Sequence, residues 1–411
     1  MAELLDRFIR YVKIHTTSKE DVEEIPSTRR QFDLANILVE ELKELGLEDA
    51  KVDEHCIVTA TMQSNLPASP RTPVLVFNAH LDTSPEESGE NVDPNVVKNY
   101  QGGEIKLPAD PSAVISPEDR PILKEYIGHD IVTSDGTTLL GADDKAGIAI
   151  IMTAISTLAR DSSRKHGTVR VIFTPDEEVG TGISALDIPA LKADYGFTVD
   201  NDQLYLGIET FNAAGGTITI KGFNIHPGEA YGKMVNSVRV LSDVLGLFPS
   251  SAAPETTRER QGYYHPYHVE ASVNETNVSF ILRDFDYKEL KKKMANISDG
   301  VKRIQSKHPK AQISLQLKDQ YRNMREIIDK FPELVKTAEE AISRTGLKVR
   351  INPSRGGTDG ARMSFNGLPT PNLFCGYVNE HSKKEFVSVQ AMEKSAETIL
   401  NIIDLFAQKE R

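Results

Sequence analysis

The chain has 411 residues, 39% hydrophobic and 26% charged, which is the composition of an ordinary globular protein. At about 150 residues per domain, this length predicts two or three domains. The 48 basic and 60 acidic residues leave a formal net charge of −12, which repels a phosphate backbone and argues against nucleic acid as a partner.

Leu4, Leu5, Phe8, Ile9 and Val12 recur at helical spacing among charged residues, so an amphipathic helix is expected over Ala2–Ile14. It lacks the continuous apolar run of a signal peptide, and a cytoplasmic location is expected. A second helix, Ser27–Leu45, should end at Gly46. The run Pro73–Ala79 then reads as a strand buried on both faces, and so do Val169–Phe173, Gly196–Val199 and Leu373–Phe374. Residues 86–130 are polar and rich in Pro, Gly and Asn; they read as a long insertion, followed by one small hairpin around 131–140. The apolar helix Lys145–Ala159 is uncharged over 146–159 and falls short of the ~20 residues of a membrane span, so no membrane partner is expected. Buried strands alternating with helices predict an α/β domain with a mostly parallel central sheet covered by helices.

From Gly215 the pattern changes. Alternating strands at Gly215–Gly222, Thr276–Arg283 and Gln312–Leu317, with helices at Met234–Leu247 and Tyr287–His308, predict an inserted α+β satellite with an antiparallel sheet. Helix Phe331–Arg344 returns the chain to the first domain. The expected layout is therefore a domain of residues 1–210 and 323–411 interrupted by a satellite of residues 211–322. Two cysteines, Cys56 and Cys375, are too few for a disulfide scaffold.

There is no H-E-x-x-H, G-x-S-x-G, nucleotide-binding G-x-G-x-x-G or phosphate-loop motif. Instead, nearly every core strand of the first domain ends in a His or a carboxylate: His80 and Asp82, then Glu177 and Glu178, Asp200, and Glu380 with His381. Asp143 and Asp144 immediately precede the apolar helix. Ligand sites in parallel α/β sheets lie at the carboxyl ends of strands, so these groups should converge. Each has an ordinary structural alternative: a satisfied histidine for His80, a helix cap for Asp143 or Asp144, a solvated pair for Glu177 and Glu178. Together they are costly without a cation, because like charges at close range oppose ionisation. Two imidazoles with three or four carboxylates suit zinc, with cobalt or manganese as alternatives, and exceed one tetrahedral set, which points to two ions.

His80-x-Asp82, Gly141-x-Asp143-Asp144-Lys145, Glu177-Glu178, Asp200, Gly356-Gly357-Thr358-Asp359 and His381 resemble, in order and spacing, the dizinc hydrolases that include acetylornithine deacetylase, carboxypeptidase G and peptidase T. The segments 138–148, 211–214, 225–228 and 281–286 resemble the peptidase T branch, the tripeptide aminopeptidases. The resemblance implies two Zn2+ per chain: His80 and Asp200 on one, Glu178 and His381 on the other, and Asp143 bridging. It implies that Asp82 orients His80, that Glu177 is the general base acting on a metal-bridging water, and that the peptide after Asp143 is cis. It further suggests His226 for the oxyanion, for which an ordinary turn residue is the equal alternative, and Arg283 for a substrate carboxylate, for which an ion pair with Asp284 or Asp286 is the alternative; Arg355 and Asn236 are further substrate-binding candidates. A homodimer through the satellite is implied as well. One departure is Ser382, which follows His381 where a glycine is common in that branch. The expected activity is removal of the N-terminal residue from short peptides, preferably tripeptides. The rivals are an N-acyl amino acid deacylase or carboxypeptidase of the same superfamily, or a metal-stabilised binding protein.

Overall fold

Strand Leu75–His80 is buried at every position and Val169–Thr174 at all but one, as their Val, Leu, Ile and Phe content requires of strands covered on both faces. In the computed structural model, which describes residues 2–67 and 72–408, they lie side by side in a six-stranded sheet. The order across it is Lys51–Val52, Val58–Met62, Val169–Thr174, Leu75–His80, Tyr195–Asn201, Asn372–Phe374. The last four strands are mutually parallel and the first two antiparallel. His80 pairs with Thr174 and Asn78 with Thr198, so four strands release the chain on the same edge.

Helix Ala142–Arg160 is buried on nearly its whole circumference and packs on this sheet and on helix Val389–Gln408. Asp143 and Asp144 have non-helical dihedrals and a cis peptide between them, so the regular helix begins at Lys145. Gly147 allows its closest approach: a Cβ there would stand 1.9 Å from the Val199 carbonyl oxygen. The N-terminal helix is Ala2–Val12, and the second is Gln31–Glu44, four residues later in starting than its periodicity suggests.

The insertion is more ordered than its composition implies, and no hairpin forms at 131–140. Ile131–Thr133 instead lies between Asn95–Val97 and Phe386–Ser388 in a second, antiparallel four-stranded sheet. Tyr100, Ile105, Leu107, Ile115, Leu123 and Tyr126 build a core with Phe386. These partners are far apart in sequence, so no local pattern announces them.

Cα packing divides the chain into two compact units: one comprises the chain up to Ile208, Glu326–Asn352 and Thr358 onward, and the other comprises Glu209–Arg325 with Pro353–Gly357. The short segment 353–357 is left with the first domain by a boundary at 322. The second unit is a four-stranded antiparallel sheet in the order Tyr263–Ala271, Glu275–Asp284, Asn212–Lys221, Gln312–Tyr321, with helices Ser237–Leu245 and Tyr287–Lys307. Its core of Ile218, Ile220, Val278, Phe280, Leu282, Leu290 and Ile297 comes from one face of the sheet and the helix stripes. The edge strand Tyr263–Ala271 has no counterpart in the sequence reading. Pro266 and five exposed residues at its end hide the alternation, which is what an edge position permits. Among the described residues, no helix is long and apolar enough to cross a membrane.

Candidate metal centre

The carboxyl edge of the parallel strands brings together His80, Asp143, Glu178, Asp200 and His381, all within the first unit. His80 Nε2 lies 2.9 Å from Asp143 Oδ1 and 3.6 Å from Asp200 Oδ1. On the other side His381 Nε2 lies 3.4 Å from Asp143 Oδ2 and 2.7 Å from Glu178 Oε2. The two oxygens of Asp143 therefore face two different imidazole–carboxylate pairs. Donor atoms of His80, Asp143 and Glu178, and likewise of His80, Asp144 and Asp200, all fall within 4.8 Å of one another. Asp144 is otherwise engaged: its oxygens accept from the His80 amide at 3.1 Å and the Gly147 amide at 3.2 Å.

Electrostatics make this set a cation site in chemical character. Among the described residues, the ion-pair partners of Asp143, Glu178 and Asp200 are His80 and His381 alone. Burial, followed by the Asp143 charge, pushes Glu178 up to about 8, and burial pushes Asp200 up to about 6. Burial works to lower both histidines, but the surrounding carboxylates outweigh it, holding His80 well above its ordinary value and His381 up at about 12. Glu178 Oε1 is buried with no hydrogen-bond partner, an orphaned acceptor on a residue whose other oxygen faces His381. Borderline-soft nitrogen and hard oxygen donors in this number fit divalent transition metals.

Asp82 is fully buried beside His80, its Oδ1 3.3 Å from His80 Nδ1. The His80 Nδ1 also lies 3.0 Å from the Asp82 backbone carbonyl, and the two carboxylate oxygens of Asp82 accept the amides of Glu177 (3.0 Å) and Glu178 (3.2 Å). Glu177 is raised well above the carboxylate range by burial and then by the Asp200 charge.

Several neighbours escaped sequence reasoning. Asp176, at φ 52°, accepts the Ser27 amide and hydroxyl at 2.6 Å each and the Gln31 side-chain amide at 2.7 Å, fixing the turn that carries Glu177 and Glu178. Tyr377 donates to Asp200 Oδ1 at 3.1 Å. Buried Glu385 accepts three backbone amides around Asp143. Asp176 adjoins the Glu177-Glu178 motif, a position that could have marked it, whereas Glu385 ends the run Lys383-Lys384-Glu385 and looks like a surface residue.

The four residues that the resemblance suggests for substrate binding belong to the second unit, where each has local partners. His226 is an exposed turn residue whose Nδ1 accepts the Gly228 amide at 3.2 Å. Asn236 caps helix Ser237–Leu245, accepting the Val238 amide at 3.0 Å. Arg283 bonds neither Asp284 nor Asp286; it donates to Ala214 O (3.2 Å) and Gln320 Oε1 (3.0 Å). Arg355 lies over the rings of Phe211 and Tyr263 and donates to the carbonyls of Glu259 and Gln261, both at 2.8 Å. Ser382 needs no glycine conformation, and its hydroxyl builds the turn, donating to Asn379 O at 2.7 Å.

Comparison with known proteins decides the family. The sequence profile described as peptidase family M20/M25/M40 matches residues 134–405. The chain belongs to this family. It is 46% identical to peptidase T of Geobacillus thermodenitrificans over 408 residues, covering 99% of both chains. In fold it matches a tripeptidase from Staphylococcus aureus (TM-score 0.77, 22% identity, 99% and 98% covered) and an aminopeptidase from Bacillus cereus (TM-score 0.75, 21% identity, 99% of both). M20 membership and the donor cluster identify a hydrolase that acts as a metal-binding peptidase.

Proposed function

We propose that the protein is a dizinc aminopeptidase that removes the N-terminal residue from short peptides, preferentially tripeptides. The observation that carries this reading is the divided aim of Asp143, with one oxygen toward His80 and Asp200 and the other toward His381 and Glu178. Near-full-length similarity to peptidase T at 46% identity supports the substrate class. His80 and Asp200 would hold one ion, Glu178 and His381 the other, and Asp143 both. Bound there, two zinc ions would acidify water toward neutrality and polarise the scissile carbonyl.

The chain's own groups supply the rest. Glu177 takes the proton from the attacking water and delivers it to the leaving amine, work that suits a carboxyl held above its ordinary range. Asp82 holds that base by its backbone amide, and the same carboxylate holds the Glu178 amide and faces the His80 imidazole. His226, Arg283, Arg355 and Asn236 are proposed to serve substrate binding, Arg283 through the geometry a guanidinium offers a carboxylate. Replacing Glu177 by Ala should leave about two zinc ions per chain while lowering kcat by roughly 10²- to 10⁴-fold. Unchanged turnover would remove Glu177 from the chemistry, and loss of bound metal would reassign it to the donor set.

A further inference from the structure

Glu385 has no part in the chemistry above, yet its side chain is 1% exposed and lies four residues beyond His381. Its Oε2 accepts the amides of Leu140 at 2.9 Å and Gly141 at 2.7 Å, and its Oε1 accepts the amide of Asp143 at 2.9 Å. Three hydrogen bonds to one carboxyl group thus fix the segment whose last residue presents an oxygen to each half of the cluster. The loop before Glu385 is closed on itself. The Glu385 amide donates to Ser382 O at 3.1 Å, the Ser382 hydroxyl accepts the Lys384 amide at 3.2 Å, and the Asn379 side-chain amide donates to Lys384 O at 3.1 Å. His381 sits within that loop at φ 58°, a conformation that persists only where the surroundings impose it. Immediately after Glu385, Phe386 enters the second sheet opposite Thr133.

Asp143 and His381 come from distant stretches of chain, and this one side chain ties their backbones together. A buried carboxylate is expensive to desolvate, and a loop needing only stability could be filled by an apolar side chain. We propose that Glu385 is a positioning residue for the metal centre: it sets the Asp143 backbone against the His381 loop, so that the two oxygens of Asp143 meet both halves of the site. This rests on the metal reading given above. Glutamine has the same size but must turn an NH2 donor toward at least one of the three amides, so Glu385→Gln breaks the cradle without opening a cavity.

The test compares apo wild type, Glu385→Gln and a remote control, Glu397→Gln, titrated with Zn2+ and, separately, with Co2+. For Glu385→Gln the expected results are zinc affinity weaker by roughly 10- to 100-fold for at least one ion and a changed visible spectrum of the cobalt form. At saturating zinc, its kcat for a tripeptide should fall at least about tenfold while KM stays within about threefold. The control should match wild type throughout. A folded Glu385→Gln with wild-type zinc affinity and cobalt spectrum overturns the proposal, even if its Tm is lower. If the variant does not accumulate folded, hydrogen exchange of the wild type decides: residues 139–143 and 379–386 should gain protection together when zinc binds, and protection of one segment without the other overturns the coupling. Wild type that takes up neither ion overturns the metal centre itself as well, whereas an unaffected variant beside a metal-binding wild type overturns Glu385 alone.

Discussion

Asp82 carries three duties on one carboxylate, which makes it the most informative single residue beside the donors. It faces the His80 imidazole and accepts the amides of both Glu177 and Glu178. Substitution by Ala should therefore weaken zinc binding by roughly 10- to 100-fold and also lower kcat at saturating zinc, because Glu177, the proposed base, loses its anchor. Metal titration with steady-state kinetics separates the two effects; a drop in affinity with full kcat at saturation would leave Asp82 as an imidazole partner only. At this scale the clustering of these histidines and carboxylates was legible in the sequence, since polar residues ending apolar strands have one common destination. It did not show Glu385 or the Ser27 and Gln31 partners of Asp176, because their signal is a hydrogen bond across the fold and their local sequence resembles solvated surface.

Helices and strands are placed by packing that is in part visible in the sequence. The helix Ala142–Arg160 could be read from its apolar run, yet its dependence on Gly147 could not, because the limiting atom, Val199 O, belongs to a strand of the sheet beneath. Gly147→Ala should destabilise the protein by about 3 kcal/mol in urea unfolding, since backbone cannot yield as a side chain would. Wild-type stability would mean that the helix is free to shift. At the far end of the same helix Arg160 and Ser156 meet Glu3 of the N-terminal helix, at 2.6 and 3.1 Å, and Arg7 joins at 2.7 Å. Burial would raise the Glu3 pKa, but hydrogen bonds from Arg160 and Arg7 prevail and hold it down at about 2. A carboxyl lowered on folding from 4.5 to about 2 contributes stability that is present above pH 4.5 and lost as pH falls toward 2. Because Glu3 is partly exposed, solvent screening limits this to about 1 kcal/mol. Glu3→Gln should lower stability by that amount at pH 7 and converge with wild type near pH 2 to 3; a constant difference across that range would exclude the ion pair as its cause.

In the whole molecule, the alternation of buried strands and helices was enough to recover the parallel sheet and the change of texture at Gly215, because both depend on residues near in sequence. The antiparallel second sheet was not recoverable: Asn95–Val97, Ile131–Thr133 and Phe386–Ser388 are each three residues long and acquire strand character only from one another. We propose a homodimer formed through the second unit, for which light scattering should give about twice the 45.5 kDa chain mass. Its edge strand Tyr263–Ala271, with Tyr267 and Val269 exposed, supports that choice, and a single-chain mass at micromolar concentration would reject it.

The most direct measurement is hydrolysis of an unblocked tripeptide, its N-acetylated form and the corresponding dipeptide, before and after chelation and after zinc is restored. The expected result is release of the N-terminal residue from the unblocked tripeptide alone, abolished by chelator and recovered with zinc. Cleavage that tolerates or prefers the acetylated peptide, or that survives chelation with no metal bound, would refute a zinc aminopeptidase.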